Sequence, residues 1–310
     1  MSKSLLIIGG TGFFGKSILD IFRRGLLKRY EIDNIIILAR NTDDFLIKFP
    51  ELLGPNVEFI KGDICNISSL PNADYIIHAA VSTNMNDYNG NLNVIAKDNI
   101  EKAVSNYCSI APQCHARSKI LYCSSGAVYG KQPLDLERIS EEHPFKEDLS
   151  DLPKEKQSYC LGKRFAENEI INLGKSGLSV SIARCFAFSG KYLPKDQHYA
   201  YGNFIGQAER GETIVVKANG IIYRSYLEAD YLVFSLLKCL LVASSNCPIY
   251  NVGSDVAITI DQLAKNISEK FSVQFRCPNL NKNLIIDRYV PNVDKLKKIF
   301  DSWDFKKQTL

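Results

Sequence analysis

A tyrosine followed four residues later by a lysine, in Tyr159-Cys160-Leu161-Gly162-Lys163, is a pairing that can move a proton. On a helix the two side chains share one face. The ammonium then stabilises a phenolate, so the tyrosine can exchange a proton with a hydroxyl or carbonyl near neutral pH. With 15 tyrosines in the chain, about one such pair is expected by chance, so its meaning depends on what surrounds it. Ahead of it the run Ile120-Leu121-Tyr122-Cys123 leads into Ser124-Ser125-Gly126-Ala127-Val128-Tyr129-Gly130. As a parallel strand, this run would set the two serine hydroxyls at its C-terminal edge, where open α/β sheets bind their ligands.

A second constellation stands near the start of the chain. The apolar run Leu5–Ile8 passes straight into Gly9-Gly10-Thr11-Gly12-Phe13-Phe14-Gly15 and then into a helical pattern from Lys16 to Phe22. That is the order of strand, tight turn and helix that holds a dinucleotide. The first glycine allows the sharp turn, the second lets a pyrophosphate approach the backbone, and the third lets helix pack on strand. The free N–H groups and positive dipole end of the helix face the pyrophosphate. Gly9, Thr11, Gly12, Phe13, Phe14 and Gly15 are therefore the candidate cofactor contacts of this turn.

The elements that must position these residues show in the spacing of apolar runs. Strands are expected at Leu5–Ile8, Ile35–Ala39, Val57–Ile60, Tyr75–Ala79, Lys119–Cys123 and Val180–Cys185, with helices at Lys16–Leu27, Asn93–Ser109 and Tyr159–Leu173. Short, nearly continuous apolar strands separated by helices suit a parallel sheet covered on both faces, a doubly wound α/β fold of Rossmann type. Lys131–Gln157, with three prolines and many acids, reads as a surface loop. Beyond Gly190 a helix near Asn203–Arg210, a strand at Thr213–Lys217 and a return of Tyr226–Ala243 to the main sheet are expected, Tyr231–Ala243 reading as a helix packed on it. The division that follows is a cofactor domain of residues 1–189 with about 226–253, and a smaller α/β substrate lobe of 190–225 with 254–310.

Bulk properties exclude several classes. The 310 residues carry a formal net charge of +4, and the basic residues are scattered, which does not suit a nucleic-acid groove. No apolar stretch is long enough for a signal peptide or a membrane span, Ser235 and Lys238 breaking the most apolar run. The nine cysteines lack metal-type spacing and read as reduced thiols of a cytoplasmic protein. No metal site is expected.

Taken together, the chain resembles the extended short-chain dehydrogenase/reductase family of nucleotide-sugar epimerases, dehydratases and ketoreductases. The resemblance spans nearly the whole length. It rests on the Gly9-Gly12-Gly15 turn, Gly62-Asp63-Ile64, His78-Ala79-Ala80, Asn93-Val94, the Ser124–Gly130 segment, Tyr159 with Lys163, Arg184-Cys185-Phe186, Arg224-Ser225-Tyr226 and Tyr250–Gly253. It implies that Ser125 binds the substrate oxygen at C4, with Ser124 the competing serine. Tyr159 is then the acid/base, and Lys163 holds the nicotinamide ribose. Asp63 and Ile64 flank the adenine, and Ala79 and Ala80 leave room for the cofactor. Arg224 suits the diphosphate of a nucleotide-diphosphate sugar, with Asn203 and Arg288 as further candidates. The bland readings are a turn residue for Asp63, a satisfied core histidine for His78, and ordinary exposed polarity for Asn203 and Arg288. The resemblance also implies a homodimer, with Val94, Ile95, Ala103, Val104, Phe165 and Ile170 supplying apolar side chains to a helical interface or to the sheet.

Departures from the family pattern narrow the chemistry. Where NAD-using members place an acid for the ribose 2′-hydroxyl, Ala39 is followed by Arg40, which favours NADP(H) over NAD(H). The bland alternative has Arg40 stacked on adenine or facing solvent. Where 4,6-dehydratases carry an Asp-Glu pair, this chain has Gly126-Ala127, which disfavours elimination of water. Ala187 stands where relatives place an asparagine. These features point to an NADPH-dependent reductase of a nucleotide-linked 4-keto sugar, a 6-deoxyhexose precursor of a surface polysaccharide. A 4-epimerase or dehydratase of the same family is the alternative, and a non-catalytic nucleotide sensor is the alternative of another class.

Overall fold

The computed structural model describes residues 2–80, 92–195 and 199–300, with the side chains of 92–96 outside the described set. The first half alternates β1 (Lys3–Ile8), α1 (Phe13–Arg23), β2 (Ile32–Ala39), α2 (Asp43–Lys48), β3 (Val57–Lys61), β4 (Tyr75–His78), α3 (Leu92–Cys114), β5 (Lys119–Ser125), α4 (Lys154–Lys175) and β6 (Ser179–Cys185). There follow β7 (Phe188–Ser189), α5 (Ala200–Glu209), β8 (Ile214–Val215), β9 (Gly220–Arg224), β10 (Leu227–Glu228), α6 (Ala229–Leu241) and β11 (Ile249–Val252). The chain continues through β12 (Ile258–Thr259), α7 (Ile260–Phe271), β13 (Phe275–Arg276), β14 (Asn281–Tyr289) and α8 (Asp294–Lys297). The six strands expected ahead of Gly190 are all present, and the one expected at Thr213–Lys217 is the short β8.

Seven strands form one parallel sheet in the order β11-β6-β5-β4-β1-β2-β3. The order reverses between β1 and β4, the switch point at which doubly wound sheets bind ligands beyond the strand C-termini. Alternation along each strand sorts the core into two layers. Leu5, Ile7, Ile77 and Leu121 pack with α1 and α6 on one face, while Leu6, Ile8, Ile76 and Ile120 pack with α3 and α4 on the other. Ala103, Val104 and Ile170 belong to that second layer, so they face the sheet, whereas Phe165 remains 37% exposed. Asn93, Val94 and Ile95 lie outside the described side chains.

Two expectations shift. Helix α4 begins at Lys154, directly after Pro153, so the loop is shorter than its composition suggested; the polar first turn hides the helical period. Leu227–Glu228 pairs with Phe188–Ser189 in a separate small sheet, and the segment that joins the main sheet is Ile249–Val252, beside β6. The run 229–241 between them is the helix packed on the sheet. A further apolar cluster gathers Leu193, Tyr201, Phe204, Ile214, Val216, Tyr226 and the inner face of α7. The three-stranded sheet β12-β9-β14 lies in this part of the chain. Val293 and Leu296 pack back into the first layer of the main core. Among the described residues no helix is long and apolar enough to cross a membrane.

Candidate functional site

The turn after β1 is built from backbone. Gly9 has φ +84°, and a Cβ there would stand 2.6 Å from the Ala80 Cα, so Ala79 and Ala80, beyond the end of β4, close directly on the turn. At Gly15 a Cβ would lie 1.9 Å from the Gly10 carbonyl oxygen, which is why helix and strand approach so closely. At Gly12 the nearest atom to such a Cβ is the Gly9 oxygen at 3.6 Å. That side is open. The first N–H groups of α1, at Phe13, Phe14 and Gly15, have no partner within the helix, no side chain caps them, and its first turn holds no acid. Thr11 is half-buried beside them. The Phe13 and Phe14 rings pack on Phe188, with centroids 6.3 and 5.4 Å away, so their backbone is what remains for an anion. This cradle fits a pyrophosphate.

At the neighbouring strand ends, Ala39 is buried and Arg40 is exposed, with no ion pair or hydrogen bond among the described residues. Asp63 Oδ1 accepts the Cys65 N–H at 3.0 Å, and its carbonyl accepts the N–H groups of Asn66 and Ile67. Ile64 is buried against α3 and its carbonyl accepts from Asn106 Nδ2 at 2.8 Å. Both residues sit at the expected edge, the Asp63 carboxylate folded into its own turn and the Ile64 side chain in the core. Burial pushes the Cys65 thiol up to about 11, Asp63 adding to the shift and Arg40 opposing it, which sets these two charges around Cys65.

The end of β5 separates its two serines by alternation. Ser124 shares the side of Ile120 and Tyr122, and its hydroxyl donates to Glu167 Oε1 at 2.5 Å in the interior. That hydroxyl is taken up by a buried network. Glu167 pairs with Arg184 at 2.8 Å, their side chains 3% and 6% exposed, and Arg184 Nη1 donates to Tyr129 Oη at 2.9 Å. Tyr129 in turn donates to Asn251 Oδ1 at 2.8 Å. Burial opposes the Arg184 charge, but the Glu167 carboxylate outweighs it and the guanidinium is held protonated. Ser125, on the other side, caps the turn Gly126–Tyr129 by accepting the Ala127 N–H at 3.2 Å.

Helix α4 docks on this turn through Arg164 Nε, which donates to the Val128 carbonyl at 2.7 Å. Lys163, 2% exposed, donates to the Cys123 carbonyl at 2.8 Å and to Tyr122 Oη at 3.1 Å. Its ammonium lies 5.9 Å from the centre of the Tyr159 ring. Burial lowers its pKa from 10.5 to about 8. The expected pair therefore shares one face of α4, with the lysine anchored two residues before Ser125. A Cβ at Gly126 would stand 2.6 Å from Phe186, so the phenyl ring fills the place of a side chain there.

The remaining candidates are spread along the second half of the chain. Arg224 pairs with Asp287 at 2.5 Å, both partly exposed, and donates to the Tyr223 carbonyl. Arg288 turns to the loop after β5, reaching the Leu134 carbonyl at 3.3 Å, with its guanidinium 4.2 Å from the Tyr223 ring centre. Asn203 is half-buried in α5. His78 is a core residue faced by the edges of Tyr107 and Tyr122; neither ring nitrogen has a hydrogen-bond partner among the described residues, and burial pushes its pKa down to about 3. All nine cysteines are free thiols, and no metal-binding cluster occurs among the described residues. Sequence reasoning missed Glu167, Tyr122 and Tyr289. Tyr289 brings its hydroxyl to 3.5 Å from Ser125 Oγ across 164 positions, and no local pattern marks it.

Residues 5–253 match the model of the NAD dependent epimerase/dehydratase family. The chain is 28% identical to UDP-glucuronic acid decarboxylase 5 of Arabidopsis thaliana over 270 residues, 86% of this chain and 74% of that one. Among solved structures, UDP-N-acetylglucosamine 4-epimerase from Methanobrevibacter ruminantium has a TM-score of 0.75 at 19% identity, covering 99% of this chain and 94% of that one. A dTDP-glucose 4,6-dehydratase from Streptomyces venezuelae, solved with NAD bound, also has a TM-score of 0.75, at 17% identity, covering 98% of this chain and 94% of its own. At such identities the structural likeness speaks for the fold.

Proposed function

The chain belongs to the NAD dependent epimerase/dehydratase family, and on that footing we propose that it reduces the C4 carbonyl of a nucleotide-diphosphate sugar with NADPH. The substrate class is a 4-keto-6-deoxyhexose, a precursor of surface polysaccharide, and the nine free thiols suit a cytoplasmic enzyme. One observation carries the reading. Phe186 fills the place of a side chain at Gly126 and Ala127 follows, so these two positions offer no carboxylate to move protons at C5 and C6, while Ser125, Tyr159 and Lys163 are residue types suited to C4.

The glycine turn and the N-terminus of α1 hold the cofactor pyrophosphate, and Lys163 its nicotinamide ribose. When bound, the cofactor supplies a hydride to C4. Ser125 donates a hydrogen bond to the carbonyl oxygen, Tyr159 gives its phenolic proton to the same oxygen as negative charge develops there, and the Lys163 ammonium stabilises the phenolate left behind. Solvent then returns the proton to Tyr159. Arg224 offers its guanidinium fork to the diphosphate, and the sugar nucleotide is assigned to the lobe expected at 190–225 with 254–310. Arg40, at the end of β2 with no ion pair or hydrogen bond among the described residues, supports NADPH over NADH. The exposed Leu161 and Phe165 on α4 support a homodimer built through α3 and α4.

The similarity to a UDP-glucuronic acid decarboxylase favours a second reading, in which C4 is oxidised, the neighbouring carboxylate leaves as carbon dioxide, and C4 is reduced again. A β-keto acid releases carbon dioxide as the bonding pair passes into the carbonyl that Ser125 and Tyr159 would hold, and C5 then takes a proton from solvent, so the absence of acids at 126 and 127 leaves this route open. The assay separates the two. NADPH consumption with a 4-keto-6-deoxy nucleotide sugar, falling by about two to four orders of magnitude in Tyr159→Phe with cofactor binding intact, is the expected result. Carbon dioxide released from UDP-glucuronic acid with no net cofactor change would replace the first reading with the second.

A further inference from the structure

Ser125 has one proton to give and two lone pairs to fill. One lone pair is filled by the Ala127 N–H at 3.2 Å, which holds the hydroxyl as the cap of the Gly126–Tyr129 turn. The other side of the oxygen faces Tyr289 Oη at 3.5 Å. The Tyr289 ring is fixed from two directions: Phe186 packs on it with centroids 4.6 Å apart, and the Arg224 guanidinium lies 5.9 Å from its centre. Asp287, two residues earlier and so on the same side of β14, pairs with that guanidinium. One strand thus reaches from the Arg224 fork to the hydroxyl of Ser125.

We propose that Tyr289 is a positioning residue, whose hydroxyl donates to Ser125 Oγ and so leaves the serine proton free to point at the substrate oxygen. The inference rests on the reading of Ser125 as the C4 donor given above. Burial holds the Tyr289 phenol well above its usual range, so the hydroxyl stays a neutral donor at working pH. A contact of 3.5 Å in the free protein is of the kind that tightens when substrate closes the site. The competing acceptor is the Cys185 carbonyl, also 3.5 Å from Tyr289 Oη; donation there would leave Ser125 free to rotate.

A double-mutant cycle with Ser125→Ala tests it. Tyr289→Phe keeps the ring and its packing, and is expected to lower kcat about five- to tenfold, less than the loss from removing a direct donor to the oxyanion, with KM for the sugar nucleotide unchanged. In the Ser125→Ala background the same substitution is expected to cost nothing further. An equal loss in both backgrounds overturns the proposal. Full activity in Ser125→Ala removes the serine reading itself, and the inference falls with it. A readout independent of the reaction is neutron diffraction from the free protein in heavy water. The Tyr289 deuteron is expected on the line to Ser125 Oγ, and a deuteron pointing at Cys185, or one on Ser125 pointing at Tyr289, overturns the proposal.

Discussion

The glycine turn after β1 and the serine turn after β5 lie on one edge of one sheet, yet they are held in shape by opposite means. The first is made of backbone whose geometry is set by exclusion: no Cβ fits at Gly9 or Gly15, and the charge it offers is the dipole end of α1. The second is made of side chains, held over a buried ion pair between Glu167 and Arg184. A cradle fixed by sterics answers to bulk and is indifferent to pH. A site fixed by charges out of water answers to the loss of either partner and to protonation.

The strongest way to break this contrast is to remove one buried charge. Arg184→Met strands the Glu167 carboxylate under Ser124, and the expected loss of stability is about 3–5 kcal/mol by urea unfolding, whereas replacing both partners with apolar residues should recover most of it. A loss below 1 kcal/mol for Arg184→Met would mean that the network does not hold this end of β5. Next in size is the lysine. Its folded pKa, about 8, lies below the 10.5 of the free group, so between these values the unfolded chain binds a proton that the folded chain has released. Stability therefore rises with pH across that window, by up to about 3 kcal/mol at 1.36 kcal/mol per unit. Lys163→Met should lack that rise, and parallel curves for the two proteins would show that the ammonium is not desolvated.

On the cofactor side the expected effects are smaller and insensitive to pH. Arg40→Ala should erode the preference for NADPH over NADH by about 1.5–3 kcal/mol, one charge-assisted contact, read from dissociation constants. Equal affinities in the unmodified protein would remove the role given to Arg40. The glycines sharpen the comparison within the turn itself. Gly15→Ala must push helix from strand and should cost about 1–3 kcal/mol of stability. Gly12→Ala, with nothing nearer than 3.6 Å, should leave stability unchanged and weaken cofactor binding alone, as titration of the cofactor with each variant would show.

The sequence by itself determined whatever acts within a few residues. Apolar runs fixed six of the seven main strands, the three glycines fixed the turn, and the four-residue spacing put Tyr159 and Lys163 on one face, because helix and strand periods are local properties of the backbone. It also marked Arg40 as the residue that leaves β2. The start of α4 escaped, since its first turn is polar and follows a proline-rich loop, and so did the place of Ile249–Val252 at the edge of the main sheet. What each of the two serines meets was decided by tertiary structure. Strand alternation says that Ser124 and Ser125 point to opposite sides, but the partners that give those sides their meaning come from far along the chain: Glu167 at 43 positions for the one, Tyr289 at 164 for the other. The same holds for Asp63, whose carboxylate closed its own turn, and for Lys163, whose depressed pKa exists because α4 buries it against β5. Period and spacing are written in neighbours. Burial, and the charges it perturbs, depend on which distant surfaces meet.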